Sequence, residues 1–326
     1  MNKRQKLVQE RFLDNEEEVI KLIEENYKRA LDSIIIKSKK LQEDITELEE
    51  TISTATDEEL KNLLSMKQAK VYQKQYQDAL RKQINSILDE LHVNEFKSLS
   101  EYLKKCYEDG FVGTLYDLHG QGIPLIFPID QESVVRAVQL DSKISEGYYQ
   151  HLGADVAVLK KEITAEVSRN ISLGAPWGNM ATILNAKMQI GINNAIRVAR
   201  TEGHRIQGQA AMDACYKAKD MGCDTLKQWD ASLDKRTRRS HQKVDGELKE
   251  LDKPFSNGLM YPGDPNGRAS DVINCRCALL QRGKWELDEE ELETLKERAN
   301  YYGLDKSKNF EDFRKKYVNA IQSVTT

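Results

Sequence analysis

Proline is missing from the first third of the 326-residue chain, and the first of its six prolines is Pro124. Proline breaks helices because it lacks a backbone N–H and clashes with the preceding turn. The early region can therefore be helical almost throughout. Three other prolines, Pro254, Pro262 and Pro265, fall close together and predict a loop-rich segment late in the chain.

Long apolar runs are missing as well. The run Ile34–Ile36 is interrupted at once by Lys37, whereas a membrane-spanning helix needs about 20 predominantly apolar residues. Residues 1–11 carry charge but lack the apolar centre of a signal peptide. We therefore expect no membrane span and no cleaved signal peptide, and we expect the protein to be made and assembled in the cytoplasm.

Basic residues are not in excess: 49 lysines and arginines face 53 aspartates and glutamates, for a formal net charge of −4. This balance argues against a protein whose main role is to coat nucleic acid, since that role needs a broad surplus of positive charge. A local basic surface is still compatible with this overall charge.

The five cysteines are an odd number spread over a long chain, which favours reduced thiols over a disulfide framework.

Several motifs of known chemistry are absent from the sequence. It contains no GxxxxGKS/T phosphate loop, no GxGxxG fingerprint, no HExxH zinc motif and no GxSxG nucleophile motif. The familiar nucleotide-binding, dinucleotide-binding, metalloprotease and hydrolase classes therefore lose their best sequence support.

An amphipathic pattern dominates the first ninety or so residues. Between residues 14 and 51, apolar residues recur at intervals of three and four, which places them on one helix face. After a polar turn at residues 53–56, the segment Thr56–Glu59 has the form of a capping box and predicts a second helix over about residues 57–91. Two such helices predict an antiparallel hairpin of coiled-coil type. This arm is either a structural spacer or oligomerisation element, or a docking element for a specific partner.

The middle and the end of the chain are less uniform. Residues 111–127 combine β-branched and aromatic residues around a glycine-containing centre and predict a short β-hairpin. Asp130 predicts the start of another helix, and short strands and turns are predicted after Trp229. The remaining predicted helices span about residues 154–171, 177–187, 190–220, 288–299 and 309–321.

Cys275 and Cys277 are the cysteines close enough in sequence to share chemistry. In an extended segment their side chains point to the same side, because successive side chains alternate. They could then hold one metal ion, with His241 as a third ligand and Asp245 or His204 as a fourth. The usual zinc knuckle is Cys-x-x-Cys and a structural zinc has four ligands, so reduced thiols without a metal are the alternative.

A dense polar cluster lies just before His241. Pairing of Asp234 with Arg236 or Arg238 in a solvated turn is one interpretation. The other is phosphate binding, because guanidinium groups match phosphate oxygens and His241 can donate or transfer a proton. The candidate contacts to nucleic acid are Lys235, Arg236, Arg238 and Arg239.

A set of short segments stands in order between residues 171 and 280. The segments are Ala199–Glu202, Lys227–Ala231, Asp234–Arg238 with His241, Asp245–Gly246, Pro254–Phe255, Pro262–Asp264 and Asn274–Cys277. In order and spacing they resemble the head morphogenesis or minor capsid proteins of tailed bacteriophages, often called Mu protein F-like. The helical front and the tail carry no motif of that family.

The resemblance implies a virion component, present in few copies, that docks at the portal vertex during procapsid assembly. The implied partners are the portal protein first, then the scaffold or major capsid protein and double-stranded DNA, which some relatives contact during its ejection. The implied location is the head interior at the portal vertex, with the host cytoplasm during assembly. Such domains are sometimes fused to toxin enzymes, and we expect the roughly 45 residues after Leu280 to be too short for one.

We therefore expect a predominantly helical α+β protein of four parts. These are a helical hairpin or coiled-coil arm (1–92), a mixed linker domain with a short hairpin and helices (93–170), a small α+β Mu F-like domain (171–282) and a short helical tail (283–326). In the leading interpretation no residue is catalytic, Arg200 and Glu202 form a structural ion pair, and zinc is the alternative to having no cofactor.

Two other functions stay open on the sequence. One is a zinc-stabilised DNA-binding module built on the metal-ligand candidates. The other is a metal-dependent nuclease or nucleotide-processing enzyme, because suitable acids, arginines and a histidine suffice for phosphodiester chemistry with a metal ion. Its candidate residues are Arg200, Glu202, Asp234, Arg238 and His241.

Overall fold

Long helices form most of the protein. The structure, a computed structural model, describes residues 1–54, 66–127, 129–139, 145–172, 177–232, 234–283 and 299–325, together with residues 293, 296 and 297. The helices are α1 (Lys3–Thr54), α2 (Met66–Gly120), α3 (Gln131–Gln139), α4 (Ser145–Ser172), α5 (Trp177–Asp220), α6 (Arg239–Lys243), α7 (Ala269–Val272) and α8 (Phe310–Thr325). The strands are β1 (Thr225–Asp230), β2 (Leu248–Glu250) and β3 (Ala278–Gly283). The predicted class, a predominantly helical α+β protein, is confirmed.

Helix α1 follows the apolar spacing of its sequence. Val19, Ile23, Tyr27, Ala30 and Ile34 recur every three or four residues and are all buried. They form the apolar stripe of an amphipathic helix, as predicted. The predicted turn after Thr54 and the capping box at residues 56–59 lie outside the described residues.

The chain forms two compact units, each built from segments that are distant in sequence. Residues 21–98 and 149–196 make one of them, which is helical and is called the helical unit below. Inside it, the hydroxyl of Tyr27 on α1 donates to Oε2 of Glu95 on α2 at 3.4 Å. Gly191 lets α5 approach closely, since a Cβ there would lie 2.6 Å from Cε1 of Tyr27.

The other unit, called the mixed unit below, comprises residues 1–20, 99–148 and 197–326 and contains the sheet. The strand order is β2-β1-β3, and both pairings are antiparallel. Trp229 is opposite Leu279 in the register of β1 and β3. Burial alternates along β1, so that Thr225, Lys227 and Trp229 face the interior.

The interior next to the sheet is built around the indole of Trp229. Its ring meets that of Phe255 edge to face, with 5.2 Å between centroids. Aromatic pairs favour this geometry because the ring edge is positive and the ring face negative. The other buried members of the cluster are Ala231, Val244, Leu259, Cys275 and Cys277. The core of the mixed unit thus extends directly into the cysteine pair.

The β-hairpin predicted for residues 111–127 is wrong. Helix α2 continues to Gly120, and residues 123–127 do not join the sheet that the described part of the chain forms. The helix is buried all round here, including Phe111, Val112, Leu115, Tyr116 and Leu118. Burial on every side removes the amphipathic period, and packing then overrides the strand preference of these residues.

Of the other predictions from the sequence, some are confirmed or revised by the structure and some are not tested by it. The helices predicted over 177–187 and 190–220 are one helix, α5, which tolerates Gly191 because that glycine sits at a close helix contact. The tail helix predicted over 309–321 is confirmed by α8. The helix predicted over 288–299 lies almost entirely outside the described residues. The four-part division of the chain stays a prediction. Among the described helices, none has the length and apolar character of a membrane span.

Candidate functional site

Two parts of the mixed unit bring one histidine and two cysteines together. His241 sits on the short helix α6, while Cys275 and Cys277 lie in the segment that enters β3. Nδ1 of His241 is 3.6 Å from Sγ of Cys275 and 3.4 Å from Sγ of Cys277. The donor atoms of all three residues lie within 4.8 Å of one another. The structure thus assembles the three side chains that the sequence singled out as metal-ligand candidates.

The backbone around Asn274 aims the two thiols inward. Asn274 has a positive φ of 53°, a conformation in which asparagine is several-fold enriched among residues other than glycine. The next residues alternate, so Cys275 and Cys277 are buried while Arg276 points outward and binds Asp234 at 2.6 Å. The expectation that both thiols share one side of an extended segment agrees with this arrangement.

The imidazole of His241 is held against aromatic and sulfur neighbours. Its ring meets the ring of Trp229 edge to face at 5.1 Å between centroids. The side chain is buried, and its Nε2 atom has no hydrogen-bond partner within the described part of the chain. The polar contacts of the ring are therefore made by Nδ1, toward the two sulfur atoms.

The two thiols differ in their affinity for a proton. The hydrogen bond from Cys277 lowers the pKa of Cys275, and the nearby positive charge of Arg238 adds to the effect. The pKa of Cys277 is raised, first by its hydrogen bond to Cys275 and then by burial. Cys275 is thus the thiol that the surroundings favour as a thiolate.

Arg238 ties the polar loop to the cysteine segment. Its Nη2 atom donates to the backbone carbonyl of Ile273 at 2.5 Å. Next to it, the backbone N–H of Asn274 donates to Oγ1 of Thr201 at 3.2 Å. The hydroxyl of Ser232 donates to the backbone carbonyl of Arg276 at 2.6 Å. These bonds fix the cysteine segment to α5 and to the loop before α6.

A cavity of about 750 Å³ in the mixed unit opens beside Cys275. Among the described residues, four arginines and two carboxylates line it: Arg200, Arg236, Arg238, Arg276, Glu16 and Asp230. These side chains carry a formal excess of two positive charges, which favours anions over cations in the cavity. Of the four cations predicted to contact nucleic acid, Arg236 and Arg238 line the cavity, while Lys235 and Arg239 are exposed on the surface and do not line it.

The residues predicted to form an enzyme site do not all come together, because they contact different partners. The ion pair predicted between Arg200 and Glu202 is wrong, because Arg200 binds Glu16 at 3.0 Å and Glu202 binds Arg205 at 2.9 Å. Arg200 and Glu202 are two positions apart on α5, and side chains at that spacing on a helix point in different directions and do not pair. His241 faces the thiols, and Arg200 and Arg238 share the cavity wall.

The pairing expected within the polar turn is also wrong. The carboxylate of Asp234 binds the guanidinium of Arg276, and it accepts a backbone hydrogen bond from Arg236 at 2.9 Å. The Arg276 contact and the hydrogen bonds lower the pKa of Asp234. The sequence carried a signal for this contact, since alternation across Cys-Arg-Cys places Arg276 opposite the thiols. Glu16, the partner of Arg200, lies 184 residues away, and no sequence spacing indicates it.

The predicted fourth ligands do not join the cluster. Within the described ranges, the group with donor atoms inside 4.8 Å of one another consists of His241, Cys275 and Cys277. Oδ1 of Asp245 instead accepts the backbone N–H of Ala231 at 2.8 Å. The described residues therefore bring together three candidate metal ligands.

Fold and site together define a helical α+β protein whose mixed unit carries a His-Cys-Cys cluster beside an arginine-lined cavity. Residues 161–280 match the family described as Phage Mu protein F like protein. This segment is similar to the Mu protein F-like family, and the resemblance inferred from the motifs is confirmed. The matched segment begins somewhat earlier than the motifs indicated.

Two relatives put this match in context. The chain is 30% identical over 190 residues to the minor head protein GP7 of Bacillus phage SPP1, which covers 56% of this chain and 61% of that protein. It is 27% identical over 288 residues to the NAD(+)–arginine ADP-ribosyltransferase EFV of Enterococcus faecalis, which covers 86% of this chain and 55% of that protein. The chain thus spans less than two thirds of either relative. No solved structure matches it.

Proposed function

We propose that this chain acts in head morphogenesis as a minor head protein of a tailed phage, docking at the portal vertex while the procapsid assembles. The observation that carries the proposal is the Mu F-like segment at residues 161–280, together with the identity to the minor head protein of phage SPP1. The portal protein is the first expected partner, followed by the scaffold or major capsid protein. The protein then resides inside the head at the portal vertex.

Contact with double-stranded DNA is the second part of the proposal, and it extends to the DNA that leaves through the portal. The cavity of the mixed unit supports it, because Arg200, Arg236, Arg238 and Arg276 present guanidinium groups at its wall. Guanidinium groups bind phosphate oxygens in bidentate geometry. Contacts of this kind hold the backbone of DNA without reading its sequence.

Portal docking is tested with the full chain co-expressed with the portal protein encoded in the same genome. We expect the two to elute together in size-exclusion chromatography, and we expect the chain among the proteins of purified heads by mass spectrometry. A portal protein from an unrelated phage is the control and should elute separately. A chain that never accompanies its own portal protein and is missing from the heads would overturn the proposal.

DNA contact is tested by the salt dependence of binding to a double-stranded fragment. Arg236 is exposed at the cavity wall, so Arg236→Ala should weaken binding and reduce the slope of log affinity against log salt by about one. Lys253→Ala is the matched control, since Lys253 is exposed in the same unit but does not line the cavity. Equal slopes for both variants would remove the cavity from the DNA contact.

An enzymatic activity is not part of this proposal. The carboxylates that such chemistry would need are engaged, since Glu202 is buried against Arg205 and Asp234 binds Arg276. One relative is named an arginine ADP-ribosyltransferase, so the purified chain should also be incubated with labelled NAD⁺ and an arginine-containing acceptor. Transfer of the label would contradict a purely structural role.

A further inference from the structure

The three side chains His241, Cys275 and Cys277 offer one nitrogen and two sulfur atoms to a common point. Zinc bonds to sulfur at about 2.3 Å and to imidazole nitrogen at about 2.0–2.1 Å, and it prefers tetrahedral angles. Those bond lengths and angles require a nitrogen–sulfur separation of roughly 3.6 Å. The observed separations are 3.6 Å and 3.4 Å. The nitrogen and the two sulfur atoms thus already lie at the separations expected for tetrahedral zinc coordination.

Hydrophobic packing alone does not account for the orientation of His241. The ring is buried beside Trp229 and directs Nδ1 at the sulfur atoms, while Nε2 has no partner among the described residues. Thiols are weak hydrogen-bond partners, and a buried polar group that lacks good partners destabilises the fold. A metal ion would satisfy Nδ1 and both thiolates at once.

The cluster is also held in place before any ion arrives. Arg238 binds the carbonyl of Ile273, and Thr201 accepts the N–H of Asn274. These contacts lie outside the ligand atoms and fix the segment that carries both cysteines. Contacts that surround a metal site orient its ligands in this way and contribute to its affinity.

We propose that the cluster binds one Zn²⁺ ion through Nδ1 of His241 and Sγ of Cys275 and Cys277. The described residues add no fourth ligand, and Cys275 also lines the arginine-bearing cavity. A water molecule or an anion from the cavity therefore completes the tetrahedron. The ion joins α6 to the entry of β3, so it stabilises the loop that carries Arg236 and Arg238. This site is independent of the role in the phage head.

The ligand set selects the metal. Two thiolates and an imidazole suit Zn²⁺, whereas Mg²⁺, Ca²⁺ and Mn²⁺ prefer oxygen ligands. All three side chains are buried, so solvent reaches the donor atoms only from the cavity beside Cys275. A closed structural zinc site has four protein ligands, while three protein ligands with an exchangeable fourth position are typical of sites that bind a further molecule. The neighbouring arginines favour an anion at that position.

Metal content of the full chain tests the proposal. The protein is loaded with ZnCl₂, passed through gel filtration with a weak chelator, and its zinc and protein are quantified. We expect about one zinc per chain, and at least a tenfold loss of affinity for Cys277→Ser, since even surrounding residues of metal sites contribute about tenfold to a hundredfold. Cys106→Ser is the matched control, because Cys106 is buried in the same unit outside the cluster and its variant should keep the ion.

Two further measurements use the wild-type chain, so they test the proposal even if a variant fails to fold. Cobalt loading should give the thiolate-to-metal absorption and the intense visible bands of a tetrahedral Co²⁺ site, and zinc should bleach them. Thiol titration under denaturing, metal-free conditions should count all five cysteines. Wild-type protein without zinc and without the cobalt spectrum would overturn the proposal, and so would a count of three thiols, which would mean a Cys275–Cys277 disulfide.

Discussion

Arg205 and Glu202 form an ion pair inside the mixed unit. Nε of Arg205 donates to the carboxylate of Glu202 at 2.9 Å, and each side chain is 1% exposed. Nη2 of Arg205 also donates to the backbone carbonyl of Ala137 at 2.9 Å. One guanidinium therefore links two turns of α5 to α3, and its charge has one buried partner to balance it.

Replacing one member of this pair should strongly destabilise the protein. Arg205→Met leaves the carboxylate of Glu202 buried without its counter-charge, which should lower the free energy of unfolding by about 3–5 kcal/mol. Arg169→Met is the control, because Arg169 and Glu166 have the same spacing on α4 but Arg169 is exposed; its cost should stay below about 1 kcal/mol. Denaturant unfolding measures both. Similar costs would show that burial of the Arg205 pair is unimportant.

The buried carboxyl of Glu95 should make the helical unit sensitive to pH. Burial raises the pKa of Glu95 from 4.5 to about 8, and the charge of Asp155 adds to the effect, while the hydrogen bond from Tyr27 opposes it. The folded chain therefore keeps a proton that the unfolded chain releases. The resulting stabilisation is complete below about pH 4.5 and is lost as the pH rises through about 8.

Glu95→Gln should remove that pH dependence. Each pKa unit corresponds to about 1.4 kcal/mol, so the wild-type chain should lose several kcal/mol between about pH 5 and pH 8 relative to Glu95→Gln. Denaturant unfolding of the full chain across this range gives the comparison. Glu90→Gln, an exposed change on the same helix, should follow the wild type. A Glu95→Gln curve parallel to the wild type would show that Glu95 is charged in the folded protein.

The sequence predicts those parts of the fold whose cause is local. The stripe of Val19, Ile23 and Tyr27 has a helical period, and the structure buries that stripe. Residues 111–118 are almost continuously buried, so they carry no period, and their aromatic and β-branched side chains indicated a strand instead of the helix that forms. Where burial surrounds an element, the pattern cannot distinguish a helix from a strand.

The site divides in the same way. The alternation across Cys275, Arg276 and Cys277 is a local property, and it correctly places both thiols on one side. His241 reaches the two thiols because the segment between β1 and β2 folds back onto the start of β3. The spacing of residues in the sequence does not predict that fold. The contact between Arg200 and Glu16 joins residues 184 positions apart. The sequence therefore indicated which residues are candidate metal ligands, but it did not indicate the distant residues that pair with the arginines.

Gly203 on α5 is a position where a single methyl group should be costly. A Cβ there would collide with the hydroxyl of Tyr102 and lie 2.7 Å from its Cε1 atom. Gly203→Ala should therefore lower the free energy of unfolding by about 1–3 kcal/mol through overpacking, despite the better helix propensity of alanine. Gly178→Ala on the same helix meets no atom within 4 Å, and it should be neutral or stabilising by up to about 1 kcal/mol. Thermal unfolding in parallel would reveal the difference, and equal effects would mean that Tyr102 moves aside freely.

The tail helix α8 should depend on the hydroxyl of Tyr317. This oxygen accepts the backbone N–H of Phe127 at 3.2 Å and donates to the backbone carbonyl of the same residue. Tyr317 is fully buried, and its ring stacks on that of Phe313 with 6.0 Å between centroids. The Tyr317 hydroxyl thus satisfies both backbone polar groups of Phe127, a residue that takes no part in the sheet.

Tyr317→Phe keeps the ring and removes this hydroxyl, so two buried backbone groups lose their partner. The expected cost is about 1–3 kcal/mol in the free energy of unfolding. Tyr317→Ala also removes the ring and should cost about 3–5 kcal/mol, because a large cavity is left in the core. Denaturant unfolding ranks the variants, and hydrogen exchange at the N–H of Phe127 tests the cause, since only loss of this bond should accelerate it in Tyr317→Phe. Unchanged exchange together with unchanged stability would mean that water replaces the hydroxyl, and the tail would then be held by ring packing alone.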